Sequence, residues 1–195
     1  MNKIYCKFFV LLLISILLPR NIIQNWLKEN KSFIQSPTKS INFTYSVSHP
    51  DYKSTYGDLK GQIITATNGR FKLTMGPRIV FSDGFQWVSY DSTTNQAIIQ
   101  YPDSLMYNSI FSLINYKQLN KLLSVSILKG NKATIYNEGQ KIDLSFNDNT
   151  ISSIEASYNS FVFKIFQIKF DNRFVFPDSL FVFSDTSTMI IDLRE

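Results

Sequence analysis

The sequence predicts a mainly β fold with a few helices, and three observations carry that expectation. Ile41, Phe43, Tyr45 and Val47 alternate with Asn42, Thr44, Ser46 and Ser48, the period of a half-buried strand. The pairs Asn68-Gly69, Asp83-Gly84 and Glu138-Gly139, with Asn147-Asp148-Asn149, punctuate the chain with residues that tolerate the positive φ of tight hairpins. Strand candidates at 58–67, 70–76, 78–82, 85–90, 96–101, 124–129, 133–137, 141–146, 151–156 and 161–170 follow one another with such turns between many of them. Hairpin after hairpin means antiparallel neighbours, and hence a sandwich or barrel in place of βαβ units.

Two segments depart from that period. In residues 21–36, Ile22, Trp26 and Phe33 with Ile23, Leu27 and Ile34 recur at three-, four- and seven-residue spacings, and Lys28, Glu29 and Lys31 take the other side. This is an amphipathic helix, ended by Pro37, which disfavours helical dihedrals in Ser36. Residues 104–123 carry Leu105, Ile110, Leu113, Ile114, Leu119, Leu122 and Leu123 at helical spacing, and predict one or two helices inserted between strands. No repeat, linker or low-complexity tract divides residues 21–195, which read as one domain.

The first twenty residues are of another kind. Lys3 and Lys7 precede an apolar run from Phe8 to Leu18 broken only by Ser15. A bilayer span needs about 20 apolar residues, so this run matches the core of a secretory signal better than a membrane helix. The expectation is residues 1–20 as signal peptide and export to the periplasm, with a retained short N-terminal anchor as the alternative, since no small-x-small motif follows the run. Cys6 is the single cysteine and would leave with the signal, so the mature chain has no disulfide or thiolate chemistry.

Charge and composition narrow the function. Lys3, Lys7 and Arg20 are three of the twenty basic residues; without them seventeen stand against fifteen acidic ones. No basic stripe of the density that binds nucleic acid remains. His49 is the lone histidine, which rules out a multi-histidine zinc site, and the aspartates scatter among turns. No nucleophile elbow, phosphate loop or dinucleotide fingerprint occurs. The reading is a non-enzyme without cofactor or metal. In excess are seventeen Phe and ten Tyr. Residues 161–170 (FVFKIFQIKF) have apolar groups on both faces of one predicted strand, and they fit either close core packing under helices or a sheet face lining an apolar cavity.

The segment 61–100 carries a resemblance. Gly61 starts one strand, Phe71 centres the next, Ser82-Asp83-Gly84 makes a hairpin, and an aromatic strand leads to Tyr90-Asp91. With the N-terminal helix, the inserted helices and the tail FPDSLFVF (176–183), likened to a late Phe-x-Phe strand, this succession resembles the LolA-type outer-membrane lipoprotein carriers. That resemblance implies an incomplete antiparallel β-barrel, a half-barrel, closed by an N-terminal and an inserted helical lid. It implies a monomeric periplasmic chaperone that takes lipoprotein acyl chains from an inner-membrane ABC-type release complex to an outer-membrane acceptor. The lipid-binding residues would then be Phe71, Leu73, Met75, Tyr90, Ile99, Ile110, Leu113, Ile114, Phe161 and Phe163, with Trp26 and Phe33 on the lid. Rival expectations are a carrier of glycolipid or another amphiphile on the same fold, and a periplasmic sensor or interaction domain whose interior is filled.

Overall fold

A computed structural model of the chain describes residues 22–49, 52–102, 116–137, 140–148, 150–158, 160–173 and 175–194. The predicted signal peptide and the inserted residues 103–115 lie outside them, as does the Glu138-Gly139 turn. Among the described residues no helix is long and apolar enough to cross a membrane.

The fold is mainly β: one twelve-stranded sheet that is not closed, with few helices. The strands are β1 (Lys39–His49), β2 (Tyr52–Thr65), β3 (Arg70–Met75), β4 (Arg78–Asp83), β5 (Trp87–Asp91), β6 (Gln96–Gln100), β7 (Ile127–Lys129), β8 (Lys132–Asn137), β9 (Gln140–Asn147), β10 (Thr150–Tyr158), β11 (Phe161–Asp171) and β12 (Met189–Asp192). Their spatial order is β12-β6-β5-β4-β3-β2-β1-β11-β10-β9-β8-β7, so β1 joins the two halves of the chain and β12 and β7 are the edges. Every pairing is antiparallel except β12 beside β6. The hairpins are made as their residues predict: Asn68 and Gly69 both have positive φ (61° and 75°), as do Gly84 (100°) and Asp148 (51°).

The helices are α1 (residues 22–29), α2 (Lys31–Gln35) and α3 (Tyr116–Ser124). The single predicted helix over 21–36 is interrupted at Asn30, whose side-chain amide donates to Trp26 O at 3.0 Å while its backbone N–H does the same at 2.9 Å. Ile23, Trp26, Leu27, Phe33 and Ile34 of α1 and α2, with Leu119 and Leu123 of α3, pack on Ala133, Ile135, Ile142, Leu144 and Phe146. All three helices therefore lie on one face of the sheet, over β8, β9 and β10. At the range 124–129 predicted as strand, α3 extends to Ser124 and leaves only Ile127–Lys129 extended.

The tail FPDSLFVF is not a strand. Pro177 has no N–H for a ladder, and Asp178–Phe181 coils into a 3-10 turn with Leu180 N–H on Pro177 O at 3.0 Å. This turn lies against β3 and β4 on the face away from the helices. Arg70 pairs there with Asp178, its guanidinium 5.7 Å from the Phe181 ring, and Phe183 meets Phe81 at 5.7 Å and Tyr90 at 5.3 Å. The chain then returns as β12, the last strand.

At the β8–β9 end the same opposite face carries a buried charge. Asp143, with its side chain 4% exposed, accepts from Thr134 Oγ1 at 2.6 Å, Lys132 Nζ at 2.8 Å and Lys141 Nζ at 2.9 Å. Burial by itself would raise its pKa; the hydrogen bonds from Lys132, Thr134 and Lys141 outweigh that and hold it at about 2. The folded value lies below the unfolded value of about 3.9, so the contribution is present above about pH 4 and is lost as pH falls toward 2. Asp143→Asn should cost about 1–2 kcal/mol at neutral pH, limited by the half-exposed lysines, and should flatten the acid limb of the stability profile. Urea titrations between pH 2 and 7 check this; an unchanged acid limb would contradict the assignment.

A candidate apolar ligand face

Cross-strand partners share a face, so the ladder assigns every side chain. Across β1, β2, β3 and β4 the partners run Ile41–Ile63–Leu73–Val80, and Phe43–Gly61–Met75–Arg78 beside them. On the other flank Tyr45 pairs with Ile165, Val47 with Phe163 and Ile41 with Phe170. These residues lie on the helix-bearing face, next to the helix-covered cluster, and the two meet at Ile41 and Ile168.

Aromatic side chains build its floor. Phe71 and Trp87, both fully buried, meet edge to face at 5.4 Å. The Phe43 ring lies over Gly61, where a Cβ would fall 2.3 Å from it, so the glycine makes room for the ring. Tyr45 touches Phe43 at 6.2 Å and Phe163 at 5.7 Å, and burial pushes its hydroxyl pKa up, partly offset by Arg78. Around these buried rings Val47, Leu59, Met75, Val80, Phe163 and Ile165 are only partly buried, and Phe161 is 47% exposed beside His49, its ring centroid at 4.5 Å.

Strand β11 keeps its apolar groups on this face by a bulge. Two residues, Gln167 and Ile168, intervene between the partners of Thr44 and Asn42, and Gln167 takes φ 53°. Phe161, Phe163 and Ile165 precede the bulge and Ile168 and Phe170 follow it, all on one side, while Lys164, Gln167 and Lys169 are exposed.

Of the expected lipid-binding residues, the ladder brings together Phe71, Leu73, Met75, Phe161 and Phe163. Trp26 and Phe33 lie on the same face over Phe170, at 6.4 and 4.8 Å. Tyr90 and Ile99 do not join them. Trp87 pairs with Ser82, which pairs with Phe71, so Trp87 and Ser89 share the Phe71 face and Tyr90 has the opposite one, against Phe183, with its hydroxyl donating to Asn95 Oδ1 at 3.3 Å. In β6 the corresponding position is Ile98, partner of Ser89, and Ile99 pairs with Val88 on the far side. Ile110, Leu113 and Ile114 lie outside the described residues. Val80, Ile63 and Ile165 were missed. Strict alternation from Leu73 would have found Ile63 and Val80 once the hairpin register was known.

No family model matches the chain, and no curated protein does. Among solved structures it is similar to an uncharacterized conserved protein from Thermus thermophilus, at 10% identity and a TM-score of 0.47, over 89% of this chain and 98% of that one.

Two further features bear on chemistry. No group of three or more His, Cys, Asp or Glu placed to hold a metal occurs among the described residues. An open depression of about 380 Å³, lined by Ser46, Asp58, Ser153, Lys164 and Phe166, lies on the face away from the helices. It is separate from the apolar stripe.

Proposed function

We propose that this chain binds the apolar part of an amphiphile on the helix-bearing face and serves as a periplasmic carrier, with lipoprotein acyl chains as the first candidate cargo. The observation that carries the reading is the apolar stripe from Val80 through Leu73, Ile63 and Ile41 to Ile165 and Phe163, fully buried at its floor and only partly buried along its sides. The half-buried apolar side chains beside this floor leave apolar surface on the open sheet that a ligand can cover. A ligand that covers them gains about 0.8 kcal/mol for each methylene removed from water.

In this reading the sheet is the half-barrel, and α1, α2 and α3 form its lid. Lid and ligand compete for one surface, so affinity is the intrinsic affinity reduced by the fraction of open lid. Loading would come from an inner-membrane ABC-type release complex and unloading would be to an outer-membrane acceptor, following the family resemblance of the sequence.

Expression into the periplasm followed by mass spectrometry of the co-purified lipid tests the proposal. The expected result is stoichiometric acylated cargo. Glycolipid would move the assignment to another amphiphile, and a lipid-free protein that binds no added amphiphile would favour the sensor or interaction domain.

A further inference from the structure

On the face away from the helices, the open depression of about 380 Å³ gathers side chains that amphiphile binding does not use. Four strands line it, with Ser46 from β1, Asp58 from β2, Ser153 from β10, and Lys164 and Phe166 from β11. Cross-strand pairing brings them together: Ser46 is the partner of Lys164, and Ser153 is the partner of Phe166. Three of these strands break register at this point. Gly57 and Asp58 both stand opposite Ser46, Gln167 and Ile168 both stand opposite Phe43, and Ser152 is the extra residue between Ile151 and Ser153. Asp58 and Gln167 take positive φ there, 55° and 53°. Bulges bend a strand, re-aim its side chains and are over-represented beside functional sites. Here they set an aromatic ring, a carboxylate, an ammonium and two hydroxyls around one hollow.

We propose that this depression binds a pyranose unit of a neutral glycan, with the Phe166 ring as platform and Asp58, Lys164, Ser46 and Ser153 as partners of the sugar hydroxyls. The inference is independent of the carrier reading, because the depression and the apolar stripe lie on opposite faces of the sheet. Its volume stands at the lower end of the range of small-molecule sites, about 300–1,000 Å³, and so suits a mono- or disaccharide unit. A pyranose ring turns a C–H face to the negative face of an aromatic ring and carries a rim of hydroxyls that both donate and accept. A carboxylate only accepts, an ammonium only donates and a serine hydroxyl does both, so each sugar hydroxyl finds a partner in this lining. Hydrogen bonds with one charged partner are roughly twice as strong as neutral ones. The Asp58 and Lys164 side chains take part in no ion pair or hydrogen bond among the described residues, so both are available. The next charged groups on this face balance each other: Lys60, two residues from Asp58, and Glu155, the cross-strand partner of Lys164. Lys164 therefore opposes a metal cation and Asp58 opposes an anion, whereas a neutral polyol uses both.

The test is an NMR titration of the isotope-labelled full chain with maltotriose, cellotriose and triacetylchitotriose, beside inorganic phosphate, calcium and glycine betaine. The expected result is that at least one trisaccharide moves the amide signals of Ser46, Asp58, Ser153, Lys164 and Phe166 and saturates with a Kd of about 1 mM or below, while the three charged probes leave those signals in place. Phe166→Ala should remove measurable binding. Asp58→Asn keeps a side chain that tolerates positive φ, so it carries the test if Phe166→Ala fails to fold, and it should weaken binding about 10-fold. Lys129→Gln, at the β7 edge, should change nothing. Displacement of a neutral apolar dye by dodecanol, which reads the stripe, should be the same with and without saccharide. Amide signals that no trisaccharide moves overturn the site. Equal shifts with glycine betaine or phosphate overturn the sugar in favour of a small charged ligand. Binding that survives Asp58→Asn and a folded Phe166→Ala unchanged, or a saccharide that itself displaces the dye, puts the sugar elsewhere and overturns the site as well.

Discussion

Gly84→Val is expected to destabilise the protein by about 3 kcal/mol or more, for two independent reasons. Gly84 holds φ +100°, a conformation that a β-branched residue tolerates poorly at a cost of about 1–3 kcal/mol. A Cβ there would also fall 2.4 Å from the backbone carbonyl oxygen of Asn68, which cannot swing aside as a side chain could. The two hairpin turns are locked together: Ser82 Oγ donates to Gly69 O at 3.0 Å and accepts from Gly84 N–H at 3.2 Å. Asp83 Oδ1 accepts from the N–H groups of Phe85 and Gln86 at 2.8 and 3.0 Å, fixing the loop that follows. Moving Gly84 would disturb the β2–β3 turn as well as its own. Gly130→Val is the comparison, since Gly130 has φ +59° with nothing within 4 Å of its built Cβ. It incurs only the backbone strain, about 1–2 kcal/mol. Urea unfolding at constant slope measures both. Equal losses would show that the contact between the turns contributes nothing.

The parts of the fold that depend on neighbours in sequence were legible, and those that depend on pairing between distant segments were not. Alternation gave β1 and β3 nearly to the residue, and Asn68-Gly69 announced its own positive φ. The bulge in β11 was not legible: Val162 and Phe166 put apolar groups on the other face as well, so the change of phase at Gln167 shows only in the ladder. What could not be read was which face a strand presents after its hairpin. Gly84, Phe85 and Gln86 are all taken up in the loop, so β5 starts at Trp87, and that one choice sends Tyr90 and Ile99 to the far face. β12 escaped notice because its four residues are strand only through a parallel pairing with β6, some ninety residues away. Nothing in the local pattern marks Lys39 or Thr65 as buried. Only the folding of α2 onto Lys39, and the pairing of Lys39 with Thr65, puts them out of water at the head of the stripe. No local pattern records that.

Phe71→Ala and Phe163→Ala, two substitutions of the same kind on the same face, should part company in stability and binding. Phe71 is fully buried, edge to face with Trp87 at 5.4 Å, so truncation opens a cavity that the strands around it cannot close. A loss of about 3–5 kcal/mol is expected, enough to unfold a domain of ordinary stability in part or in full. Phe163 is only partly buried, beside Tyr45 near the start of β11, so its truncation should cost about 1–2 kcal/mol and leave a cooperative melt. If an acyl chain covers the rest of that ring, the same truncation removes apolar contact worth about 1.5–3 kcal/mol from the complex, a drop in affinity of roughly 10- to 100-fold. Phe166, on the opposite face in the open depression, supplies the control, because Phe166→Ala there touches no part of the stripe and should leave amphiphile affinity unchanged. Thermal denaturation and dye displacement on the three variants separate the outcomes. If Phe163→Ala binds amphiphile as the wild type does, the half-buried margin is not where the ligand lies. If Phe163→Ala instead loses as much stability as Phe71→Ala, the margin is core, and the face has no room for a ligand.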